Sequence, residues 1–146
     1  PCGTLFPYTT LFRSVVAELN GHDFGVAFTA ERVYDPSLEL KALKDLRVTV
    51  VPGGGETQIA SRSLVQHDYR VDVAVRKKFD ADSTTELDPL LNLVEAIGDF
   101  FRLRRLAAMP DAAWVRTENP SAWSPEHLSE QRVFVSVLTL TFRVLR

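Results

Sequence analysis

The 146-residue chain is long enough for one domain with one hydrophobic core and too short for two comfortable ones. Its 45% hydrophobic and 25% charged residues are ordinary for a globular protein, which excludes an intrinsically disordered chain. A net charge of −2 gives no support to non-specific nucleic-acid binding, and a lone cysteine, Cys2, excludes an internal disulfide or a cysteine-ligated zinc site. A reducing compartment fits this cysteine usage best. No apolar run approaches the roughly 20 residues needed to span a bilayer, and no secretory leader pattern is present.

The first residues stand apart. Thr4–Ser14 reads TLFPYTTLFRS, which resembles the in-frame translation of a common short-read sequencing adapter. The chain opens on Pro1, and its only methionine is Met109, so a reading frame cut at its start is expected. Residues 1–14 are therefore set aside as an artefact. Residues 15–146 are taken as a single α+β domain, with residues 1–14 adding nothing to its stability.

Val15–Asn20 reads as the end of an amphipathic helix, with Val15, Val16 and Leu19 on one face and Gly21 at the cap position. Phe28–Tyr34 is a predicted strand ended by Asp35-Pro36. Leu38–Leu46 fits either a short strand and turn or two helical turns. Arg47–Pro52 (RVTVVP) is a strand closed by Pro52 and three glycines, and Gly53–Ser63 a long polar connection. Val65–Lys77 alternates: Tyr69, Val71, Val73 and Val75 point one way, and Asp68, Arg70, Asp72 and Arg76 the other. This is the period of an antiparallel strand with one wet face.

An acidic connection, Asp80–Asp88, leads to the main helix at about Glu86–Leu106. Leu87, Leu90, Leu91, Val94, Ile97 and Phe101 form its core stripe. Asp88-Pro89 reads as a cap and first helical residue, with Thr85 as an earlier alternative start. Ala113–Glu118 is a fourth strand, and Ser124-Pro125-Glu126 opens a helical turn or two. Arg132–Leu145 is a long strand whose even positions (Phe134, Leu138, Leu140, Phe142, Val144) and odd positions (Val133, Val135, Val137) are both apolar. Such a strand must be covered on both sides. The order predicts a mostly antiparallel sheet of about five strands with the long helix and an N-terminal helix packed on it.

The residues that carry chemistry elsewhere do not assemble into a site here. His22, His67 and His127 form no metal-binding spacing. Asp80, Asp82, Glu86 and Asp88 begin like a calcium loop, but Thr85 and Leu91 occupy the places of its glycine and bidentate glutamate. Pro52-Gly53-Gly54-Gly55 lacks the Gly-Lys-Ser/Thr and the following helix of a phosphate loop. Arg102, Arg104 and Arg105 sit where a helix dipole favours cations. No cofactor, metal or catalytic residue is assigned. The doubly apolar last strand, with Trp114 and Trp123 near it, instead points to subunit contact. Its candidate residues are Val133, Val135, Val137 and Trp123.

RVTVVP (Arg47–Pro52), YRVDVAV (Tyr69–Val75), AWVRTEN (Ala113–Asn119) and SVLTLTFRV (Ser136–Val144) resemble segments of uncharacterised phage and prophage structural proteins. Their element order is similar to tail terminator, or tail completion, proteins. The resemblance covers nearly all of residues 15–146. It implies a non-enzymatic, cofactor-free ring, usually a hexamer, that ends the tail tube and helps join it to the head. The implied partners are other copies of the chain, the tail tube and head–tail connector proteins, with no membrane and no specific nucleic acid. The implied location is the host cytoplasm during assembly and then the virion tail. Rival readings are a head–tail connector or minor capsid protein, a small nucleic-acid-binding module, and a small enzyme of unknown type.

Overall fold

The computed structural model describes residues 7–26, 28–33, 46–78, 84–119 and 133–146. Helix α1 spans Pro7–Asn20 and helix α2 Thr84–Phe101. The strands are β1 (Ala30–Arg32), β2 (Arg47–Ile59), β3 (Val65–Lys78), β4 (Ala113–Glu118) and β5 (Val133–Leu145). They form one sheet in the order β1-β2-β3-β5-β4. Short β1 lies parallel to β2, and every other neighbouring pair is antiparallel. The fold is α+β with a mostly antiparallel sheet, as the element order predicts. The readings at residues 38–45, at Asp80 and Asp82, and at Ser124-Pro125-Glu126 lie outside the described residues.

Register sets which side chains meet. Val50 lies opposite Val73, Val73 opposite Leu138, and Val71 opposite Leu140. Period 2 then puts Val48, Val50, Val71, Val73, Val75, Leu138, Leu140, Phe142 and Val144 on one face, where all are buried. Both helices pack on this face. Helix α2 buries Leu90, Val94, Ile97 and Phe101 as its stripe predicts, and adds Leu93 to the same core. Burying each such side chain is worth roughly 1.5–3 kcal/mol.

Three local readings are corrected. Helix α2 starts at Thr84 and carries Pro89 inside it. Pro89 has no N–H to donate to the Thr85 carbonyl four residues back, so the helix gives up one bond near its N-terminus. The helix stops at Phe101 instead of Leu106, because Leu103 turns left-handed (φ 57°) and the chain reverses to bury Leu106 and Met109. The glycine run does not end β2. Between Pro52 and Gly55 the register slips in a bulge, and β2 continues to Ile59. Gly54 has φ +87°, and a Cβ at Gly55 would lie 2.7 Å from the Asp68 carbonyl oxygen, so the bulge needs glycine at both.

Residues 1–14 were set aside, yet from Tyr8 onward they belong to the packed helix. Leu11 and Phe12 are fully buried with Val15 and Leu19, because LFRSVVAEL carries one continuous apolar stripe. The Tyr8 hydroxyl donates to the Arg70 carbonyl and accepts from the Gly54 N–H at 2.9 Å. This packing is a property of the residues as written, and an adapter origin for them stays a proposal. Deleting residues 1–14 should therefore lower stability by at least roughly 3 kcal/mol, read from a urea midpoint. An unchanged midpoint would show that the segment adds nothing. Ile97→Ala and Phe101→Ala should each cost roughly 2–5 kcal/mol, and wild-type stability in either would mean that α2 is wrongly docked.

Candidate assembly surface

Nothing among the described residues gathers three or more potential metal ligands. His67 is held structurally. Its ring stacks on Tyr69 at 5.7 Å, and Arg146 Nε donates to Nε2 at 3.3 Å. Nε2 is then the acceptor, so the proton sits on Nδ1, which faces Thr57 Oγ1 at 3.3 Å. His22 packs against Phe24 and Phe100, and His127 lies outside the described residues.

The cationic cluster after α2 is in part a clamp. Arg104 bonds Glu18 at the end of α1 (Nη2 to Oε2, 2.7 Å) and lies 3.9 Å from the centre of the Phe100 ring. The Ala107 N–H donates to the other Glu18 oxygen at 3.0 Å. Burial alone would raise the Glu18 carboxyl, but the Ala107 N–H and the Arg104 guanidinium outweigh it and hold it below the usual carboxylate range. A folded value below the unfolded one means the clamp stabilises fully above the unfolded value and fades as pH falls through the folded one. Glu18→Gln should cost roughly 1–2 kcal/mol at neutral pH, discounted for the exposed side of Arg104. Urea midpoints measured against pH should converge with wild type once pH has fallen below the usual carboxylate range and through the lowered Glu18 value. A gap that persists undiminished there would mean that the charge of Glu18 contributes nothing.

The far face of the sheet, opposite the helices, bears the odd positions of β5. Polar side chains pair along it: Arg143 Nε donates to Asp68 Oδ1 at 2.9 Å, and Thr139 Oγ1 to Asp72 Oδ1 at 2.8 Å. The hydrogen bond from Arg143 holds the Asp68 carboxyl below its usual range. On this face Thr141 is buried between the two pairs, and Thr49, Ala74 and Val133 are buried beyond the second. The middle of the far face is thus covered within one chain. Of the candidate contact residues, Val133 is 1% exposed and has no surface to offer, whereas Val135 and Val137 are half-buried. Trp123 lies outside the described residues.

Surface of a different kind lies at the sheet's two ends. β1 pairs with β2 only at Val48–Val50, and Tyr8 occupies Gly54. Among the described residues no strand pairs with the outer edge of β2 from Gly55 to Ile59, or with the outer edge of β4. The end of the β2–β3 hairpin is also apolar, with Ile59 79%, Leu64 41% and Val65 36% exposed, and Leu145 beside them 52% exposed. Such clustering marks a contact surface more strongly than single exposed residues do. At the other end, a groove of about 510 Å³ runs between α2 and β4. Leu91, Val94, Trp114 and Leu138 line it with Gly98 and Thr117, and Glu95, Asp99 and Arg102 border it. The sequence pattern missed this pair of features. Ile59, an apolar residue in what reads as the polar connection Gly53–Ser63, was the available signal.

No family model matches the chain, and no curated protein matches it. Among solved structures it is similar to the sheath/tube terminator of an extracellular contractile injection system, PVC, in its extended state, determined by cryo-electron microscopy. The TM-score is 0.51 at 12% identity, with 100% of this chain and 58% of the terminator aligned. The likeness is one of fold. The chain spans a little over half the length of that terminator.

Proposed function

We propose that the chain is a non-enzymatic structural component of a phage-type or injection-type tail, closing the tail tube as a ring and helping to join it to the head or its equivalent. The single observation that carries this reading is the fold it shares with a sheath/tube terminator. No described helix is long and apolar enough to cross a membrane. The work of such a protein is done by surfaces: copies meet head to tail, the rotation closes, and the finished ring offers a docking face to the tube. Other copies of the chain, tail tube and connector proteins are its proposed partners, and Val135, Val137 and Trp123 its proposed contact residues.

Light scattering and negative-stain microscopy at high protein concentration, with and without tail tubes, test this. The expected result is a closed ring larger than a dimer. Val135→Asp should weaken that ring while the core on the helix side keeps the single chain folded. A strict monomer under all these conditions, or a stable two-fold dimer, would overturn the reading.

A further inference from the structure

We draw no further inference here: the strongest candidate, the apolar groove between α2 and β4, carries nothing because nothing in the structure shows what covers it.

Discussion

The ladder between β3 and β5 determines most of what surrounds it. Thirteen consecutive positions pair, from Gln66 with Leu145 to Lys78 with Val133. A strand alternates its side chains strictly, so a slip of β3 by one residue would turn Val71 and Val73 away from the helices and bring Arg70 and Asp72 toward them. Burying those polar groups under α1 and α2 would cost far more than the ladder gains, so the register is held from both sides. With it held, the helices have only one apolar face to cover, and the ion pair Arg143–Asp68 and the hydrogen bond from Thr139 to Asp72 fall on the other. The same ladder carries β3 and β5 out past the helix layer, and there the apolar hairpin end emerges.

Where one rule of spacing dominated, the fold was legible in the sequence. The stripe of α2 and the alternation of β3 each express a single period, and both match the structure. Elements ruled by competing signals were not. Pro52 and three glycines carry the composition of a strand end, but the pairing of β2 with β3 continues through them as a bulge because β3 stays in reach on one side. Leu103 is a good helix former in an otherwise helical stretch, yet the gain from burying Leu106 and Met109 turns the chain there. The adapter-like segment shows the converse. Leu11 and Phe12 satisfy the helical period whatever their origin, and the core accepts them.

The candidate surface was legible only in part, for a related reason. Apolar content on both faces of β5 signalled that both faces are covered, and Val133 and Thr141 are indeed buried. Spacing alone does not say whether the cover belongs to the same chain, and over the middle of the far face it does. Val135 and Val137 are what remains partly open. The groove escaped notice because its walls come from α2, β4 and β5, which only the fold brings together.

Backbone hydrogen exchange, compared between assembled protein on tail tubes and dilute protein, tests this account most directly. Among the described residues no strand covers the outer side of Ala113–Glu118, and edge amides open to water exchange quickly. The account predicts that assembly slows exchange along this edge, while core amides such as those of Val71 and Val73 are slow throughout. An edge that exchanges as fast in the assembled protein as in the dilute one would contradict it.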